Sequence, residues 1–89
     1  MTLLACQIFS TIAHEGSFAR TAEQLHLTPS AISHAVSTKE AECDFQLFTH
    51  TKSGVTMTSA AANLLPAIQR LLASSEFLEQ SIAQSNGMH

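Results

Sequence analysis

Two helical segments in the first half of the chain are separated by only two residues, and this spacing restricts the possible folds most. The segment from Ser17 to Leu25 repeats small and apolar residues at helical spacing, and His26 and Leu27 follow it. Thr28 then fits an N-cap, and Pro29 fits the first helical position, where its missing N–H is not needed. Two helices joined by so tight a turn pack across each other, which predicts a helix-turn-helix arrangement.

The second of these helices, from Thr28 to Cys43, has a small, hydroxyl-rich outer face. Helical spacing predicts that Ile32, Val36 and Cys43 face inward. The residues expected to face outward are Ser30, Ser33, His34, Ser37, Thr38 and Ala41. Such a face is also typical of a surface that meets only solvent. Its place after a tight turn favours insertion into a DNA major groove, which is about 12 Å wide.

The remaining patterns predict a first helix and a hairpin around the same core. Leu3 to Glu15 carries a wide apolar stripe at helical spacing, and Gly16 fits its C-cap. After Asp44 the period changes, and apolar residues alternate with threonines in the segment VTMT, as in a strand. A small hairpin with a polar tip from His50 to Gly54 is therefore expected, as a wing whose Lys52 contacts phosphates or the minor groove.

Helical spacing returns at Thr58 and predicts a long final helix. Its apolar stripe runs through Leu64, Ile68, Leu71, Ser75, Leu78 and Ile82, with Ala61, Leu65, Leu72 and Phe77 beside it. Pro66 is expected to bend this helix without ending it, and the polar tail 85–89 is expected to fray. The chain thus divides into a winged helix-turn-helix domain at residues 1–57 and a linker helix at 58–89. The fold class is mainly α.

Composition excludes several classes of function. With 89 residues the chain closes one small core, and it has neither a GxSxG elbow nor a glycine-rich phosphate loop, so we do not expect an enzyme. Histidines and cysteines lack metal-ligand spacing, so neither a metal nor another cofactor is expected, and Cys6 and Cys43 are interpreted as reduced thiols. No membrane span or signal peptide is recognisable, which favours the cytoplasm.

These segments together resemble the N-terminal domain of LysR-type transcriptional regulators. The resemblance rests on GSFARTAEQLHLTPSAISHAV, then QLF, a short polar tip, GVTMT and LLPAIQRLL, in this order over nearly the whole chain. In that family the domain is a dimer whose linker helices pair antiparallel, so that two recognition helices reach an inverted-repeat DNA site. The family's larger C-terminal domain, which senses an inducer, has no counterpart in these residues.

The resemblance implies two sets of site residues. Those expected to contact double-stranded DNA are Arg20, Thr28, Pro29, Ser30, Ser33, His34, Ser37, Thr38, His50, Thr51, Lys52 and Ser53. Those expected to form a homodimer through the linker helix are Leu64, Leu65, Ile68, Leu71, Leu72, Leu78 and Ile82. For Arg20, a phosphate contact and a pairing with Glu15 or Glu23 are both consistent with the sequence.

The chain departs from the family pattern at four positions. His34 stands where arginine is usual, and Ser37 stands where a basic residue is common. Lys39 replaces a leucine on the core-facing stripe, so its ammonium is expected to reach outward past the helix end. Asp44 replaces the glycine that usually ends the helix, at a cost of about 1 kcal/mol for a left-handed backbone.

The net charge of −3 is unfavourable for approach to phosphates. Within a Debye length of about 10 Å the local field decides, so DNA binding remains the main hypothesis, with weak and salt-sensitive affinity. Protonation of His34 and His50 would add positive charge at the DNA face as the pH falls. The alternative is a helix-turn-helix scaffold used for protein–protein interaction, with weak DNA binding or none.

Overall fold

A computed structural model describes residues 1–87 of the chain, which form four α-helices and one two-stranded antiparallel hairpin. The elements are α1 (Leu3–Glu15), α2 (Phe18–Leu25), α3 (Pro29–Cys43), β1 (Phe48–Thr51), β2 (Gly54–Met57) and α4 (Ser59–Gly87). This is the winged helix-turn-helix with a long final helix that the sequence predicted.

The helix ends follow the capping residues of the sequence. The hydroxyl oxygens of Ser17 and Thr28 each accept a hydrogen bond from an amide three residues later, at 3.2 and 3.1 Å. Gly16 and Asp44 end their helices in the left-handed conformation, with φ of 68° and 63°, as predicted. His26 also adopts this conformation at the end of α2, with φ of 57°, and the sequence analysis did not foresee it.

The core lies where α1, α2, α3 and the hairpin meet. Phe48, the first residue of β1, packs between two aromatic rings, with centroid distances of 5.2 Å to Phe9 and 6.1 Å to Phe18. The predicted stripe of α1 holds at Ile8 and Ile12, which are buried. It does not hold at Leu4, which is 52% exposed because the first turn of α1 extends beyond the elements that cover the rest of the helix.

Lys39 occupies a core-facing position without burying its charge. Its side chain lies beside Ile8 and Phe9 and is 17% exposed, while its Nζ lies 2.7 Å from Oε2 of Glu42, one turn further along α3. The stem therefore covers apolar surface and the ammonium reaches an exposed carboxylate. This agrees with the outward orientation that was expected for Lys39 and identifies its partner.

The turn of the hairpin is shorter than the sequence predicted. His50 and Thr51 were assigned to the tip, but they belong to β1 and pair with Val55 and Gly54 of β2. Only residues 52 and 53 connect the strands. The prediction was wrong because the polar side chains that suggested a loop are the exposed residues of a strand that buries only one of its members, Phe48.

One backbone contact attaches the hairpin to the turn between α1 and α2. The amide of Val55 donates to the carbonyl oxygen of Gly16 at 3.0 Å. Gly54, with φ of 146°, lies so close that a Cβ at this position would overlap the same carbonyl oxygen. A residue without a side chain is therefore required for this approach.

Helix α4 packs its first half on α1 and extends beyond the rest of the molecule. The hydroxyl of Thr58 accepts from the amide of Ala61 at 3.2 Å and caps the helix, and Ala61 and Ile68 are buried. The helix passes through Pro66 and continues to Gly87. The tail 85–89 was expected to fray, but residues 85–87 are helical. Residues 88–89 lie outside the described part of the chain. No helix within residues 1–87 is long and apolar enough to cross a membrane.

Replacement of Gly54 tests the attachment of the hairpin. We expect Gly54→Ala to lower the free energy of unfolding by about 1–3 kcal/mol or more, because the new Cβ meets a backbone oxygen and the φ angle disfavours a side chain. Urea unfolding measures the change. Ser53→Ala, at the neighbouring exposed turn position, is the control and should change stability by no more than about 0.5 kcal/mol. Equal effects of the two substitutions would contradict the close approach.

The ion pair on α3 predicts an acid-dependent contribution to stability. The hydrogen bond and the charge of Lys39 hold the pKa of the Glu42 carboxyl below its usual value of 4.5. Because the folded-state pKa is the lower one, the stabilisation is present above the unfolded-state pKa and is lost as the pH falls through the lowered value. Wild type should thus exceed Glu42→Gln in urea stability near neutrality, and the difference should shrink towards about pH 3. Glu23→Gln, which removes an exposed carboxylate outside this ion pair, should show no such convergence.

Candidate nucleic-acid interface

The tight connection between α2 and α3 exposes one face of α3 along most of its length. Every residue of α3 that was predicted to contact DNA is exposed, and so is the cap residue Thr28. The exposed residues within the helix are Pro29, Ser30, Ser33, His34, Ser37 and Thr38. Ala31 and Ala41 are exposed with them. Ile32 and Val36 are buried on the opposite side and fix the rotation of the helix. From Pro29 to Thr38 the accessible face therefore carries no carboxylate, lysine or arginine, and the exposed acidic residue Glu42 follows one turn further along α3.

The wing and α3 together form a shallow cleft. Ser33 and Ser37 line it from α3, and His50 lines it from β1. The His50 ring stands nearly edge-on to Phe18, with a centroid distance of 5.5 Å, so it rests on the core at the bottom of the cleft. The structure thus brings together three predicted site residues that lie far apart in the sequence. It adds Gln46, which the sequence analysis did not single out.

The remaining predicted DNA contacts lie at the edges of this face. Thr51, Lys52 and Ser53 are exposed at the end of the hairpin, with Lys52 in the two-residue turn. Arg20 is exposed on α2 and borders a separate shallow depression with Glu15 and Glu23. Arg20 is therefore not part of the cleft between α3 and the wing.

Few cations are available near this face. The protein has four lysines and arginines in total. Within residues 1–87 the single ion pair is Lys39 with Glu42, which removes Lys39 from consideration. Arg20 borders the same depression as Glu15 and Glu23 but forms no ion pair with either, so the phosphate contact and the pairing with these residues both stay predictions.

Glu40 is a residue that the sequence analysis missed. Its Oε2 accepts hydrogen bonds from the amides of Leu47, at 2.7 Å, and Phe48, at 3.4 Å. The carbonyl oxygen of Leu47 accepts in turn from the amide of Thr58 at 3.0 Å. Helix α3, the base of the wing and the start of α4 are thus joined at one residue, Leu47. The sequence did offer one signal for this role. Glu40 lies near the C-terminus of a helix, where the helix dipole makes a negative charge unfavourable unless hydrogen-bond donors stabilise it.

The residues predicted to form a dimer fall into two groups on α4. Ile68 is buried in the core of this chain, and Leu64, Leu65 and Leu72 pack partly against that core. Leu71, Leu78 and Ile82 are 45%, 58% and 47% exposed. Leu71 and Leu78 border a cleft that also includes Met1 and Leu3, at the start of α1. The second group, unlike the first, is available to a partner.

Comparisons with known proteins agree with this architecture. Residues 3–62 match the sequence model of a family described as bacterial regulatory helix-turn-helix protein, lysR family. The chain is 34% identical over 89 residues to the uncharacterized HTH-type transcriptional regulator YvbU of Bacillus subtilis, covering 99% of this chain and 30% of that protein. It spans less than a third of the length of each of the first relatives that it matches.

Solved structures show the same fold. The oxidized form of OxyR from Corynebacterium glutamicum matches with a TM-score of 0.90 and 28% identity, covering 97% of this chain and 26% of that one. The BenM DBD in complex with benA site 1 DNA matches with a TM-score of 0.87 and 20% identity, over 100% of both chains. The second likeness concerns the fold alone.

Proposed function

The chain belongs to the lysR family of bacterial regulatory helix-turn-helix proteins, and from this premise we propose that it is the sequence-specific DNA-binding domain of a transcriptional regulator. It acts in the bacterial cytoplasm and binds an inverted-repeat site as a homodimer. The observation that carries the proposal is the exposed, hydroxyl-rich face of α3 after a tight turn, with the wing beside it. The matched family is described as bacterial regulatory helix-turn-helix proteins, and the relative YvbU is named as a transcriptional regulator, which supports this assignment.

The exposed face of α3 limits how bases are read. It carries hydroxyls, small apolar side chains and His34, but no arginine or lysine to form a bidentate contact with guanine. Recognition therefore depends on single hydrogen bonds from Ser30, Ser33 and Ser37 and on apolar contact with thymine methyl groups. His34 donates a hydrogen bond to a base or a phosphate. Such a surface discriminates between sequences through close fit rather than strong individual contacts.

Phosphate contacts are supplied from outside α3. Lys52 at the wing turn and Arg20 on α2 are the exposed cations nearest to this face, and Thr51 and Ser53 add hydroxyl donors. Each neutralised phosphate contributes about 0.9 to the slope of log affinity against log salt concentration. With so few cations per domain, binding should be weak for this class and lost at moderate salt.

Selection from a pool of randomised DNA duplexes at low salt tests the proposed function. We expect enrichment of an inverted repeat, and we expect Ser33→Glu, which places a carboxylate on the exposed face of α3, to abolish it by repelling the DNA phosphates. The control Gln80→Glu adds the same charge at an exposed position of α4, far along the linker. Absence of any enriched sequence for the unaltered chain would overturn the proposal and favour a scaffold for protein–protein interaction.

The homodimer uses the exposed part of the α4 stripe. Leu71, Leu78 and Ile82 are exposed and recur at helical spacing, and Leu78 and Ile82 lie in the second half of α4. Single apolar residues are common on protein surfaces, but a row of them on an otherwise isolated helix is unfavourable in water. A second copy of the same helix, packed antiparallel, covers such a row. The buried Ile68 stabilises the monomer instead.

Substitution in the exposed row distinguishes association from folding. We expect Leu78→Asp to convert the dimer to a monomer, because a carboxylate cannot be buried at the helix contact without a partner. Sedimentation equilibrium measures the mass, and circular dichroism verifies that the helices persist. Gln80→Asp, on the exposed opposite side of α4, adds the same charge and should leave the dimer intact. An unchanged dimer in Leu78→Asp would exclude this interface.

A further inference from the structure

Besides the packing of Phe48 and the bonds from Thr58 at the start of α4, hydrogen bonds attach the wing to the first three helices at two places, one near each strand. On β2, the amide of Val55 donates to the carbonyl oxygen of Gly16. At the start of β1, the amides of Leu47 and Phe48 donate to the carboxylate of Glu40, which lies in α3. A hairpin held at one place can pivot about it, whereas two attachments on different strands fix its orientation.

The Glu40 attachment is the one that links the wing directly to the recognition helix. Glu40 also borders the cleft that Ser33, Ser37 and His50 line, so it lies between the two surfaces proposed to meet DNA. Hydrogen bonds to a carboxylate are stronger than those between neutral groups, and the 2.7 Å bond to Leu47 is short. Leu47 is only 2% exposed, so water cannot readily replace the lost acceptor.

We propose that Glu40 is a positioning residue for DNA binding: its carboxylate sets the angle between the wing and α3, so that Lys52 reaches a phosphate while α3 occupies the major groove. The inference rests on the proposed function. It assigns to Glu40 no contact with DNA, because its accepting oxygen is directed at the Leu47 and Phe48 amides and its charge would repel a phosphate. Its effect is therefore expressed through the contribution of Lys52.

A double-mutant cycle between Glu40 and Lys52 tests this inference. The intact chain is titrated by fluorescence anisotropy with a labelled mixed-sequence duplex of about 40 base pairs, or about four helical turns, over a range of salt concentrations. In the Glu40 background, Lys52→Ala should reduce the magnitude of the salt slope by about 0.9 for each phosphate that Lys52 neutralises. In the Glu40→Ala background, which removes the acceptor of the Leu47 and Phe48 amides, the same substitution should reduce it by less than about half of that amount.

The controls separate positioning from charge and from stability. Asp44→Asn removes the same charge near the end of α3, and asparagine tolerates the left-handed backbone there, so Lys52→Ala should keep its full effect in this background. Glu40→Asp keeps the charge but withdraws the carboxylate by one methylene group, and it should behave like Glu40→Ala. It also provides the measurement if Glu40→Ala does not fold, as judged by circular dichroism.

The outcomes are distinguishable. A reduced effect of Lys52→Ala in both Glu40 variants, but not in Asp44→Asn, supports the proposal. If Lys52→Ala changes the salt slope equally in all backgrounds, the proposal is overturned. A residue that only stabilises the fold changes the fraction of folded protein, but it does not change the amount by which Lys52 increases the salt slope. Absence of any binding by the unaltered chain would instead overturn the proposed function and this inference with it.

Discussion

The backbone of Leu47 is the point on which the arrangement of the elements proposed to face DNA depends. Leu47 is buried, so its amide and its carbonyl must both find partners within the protein. Glu40 from α3 accepts from the amide, and Thr58, which caps α4, donates to the carbonyl. Satisfying the two backbone groups of one buried residue therefore links α3, the hairpin and α4. The side chain of Leu47 adds to the core that these elements share.

Several charged side chains of the domain bind other groups of the protein and are not free to contact DNA phosphates. Lys39 and Glu42 pair on α3, and Glu40 is engaged with the base of the wing. Lys39 and Glu42 offset each other's charge, whereas Glu40 keeps its negative charge at the border of the cleft between α3 and the wing. The proposed DNA affinity then depends on the few exposed cations around that face and on correct placement of the wing. This is why geometry has an unusually large role in a domain with a net charge of −3.

The two halves of helix α4 have different surroundings, although one continuous apolar stripe runs through both. Its first half completes the core of the domain, and Ile68 is buried there against elements of the same chain. Its second half extends beyond them, with Leu78 and Ile82 exposed. The periodicity is the same in both halves, because a helix presents an apolar row in the same way to its own core and to a partner. The difference arises from where α1 begins, because Met1 and Leu3 lie beside Leu71 and Leu78.

The sequence by itself determined the helices, their caps and the outward face of α3. Helix formation and capping depend on residues within about one turn of each other, so Ser17, Thr28 and Asp44 could be interpreted from their neighbours alone. The tertiary structure decided where the hairpin turns, which leucines of α4 remain exposed, and what Glu40 binds. Each of these depends on groups distant along the chain: the pairing of His50 with Val55, the position of α1 beside α4, and the amide of Leu47. Spacing within one segment carries no information about such partners, because they come together only when the segments pack.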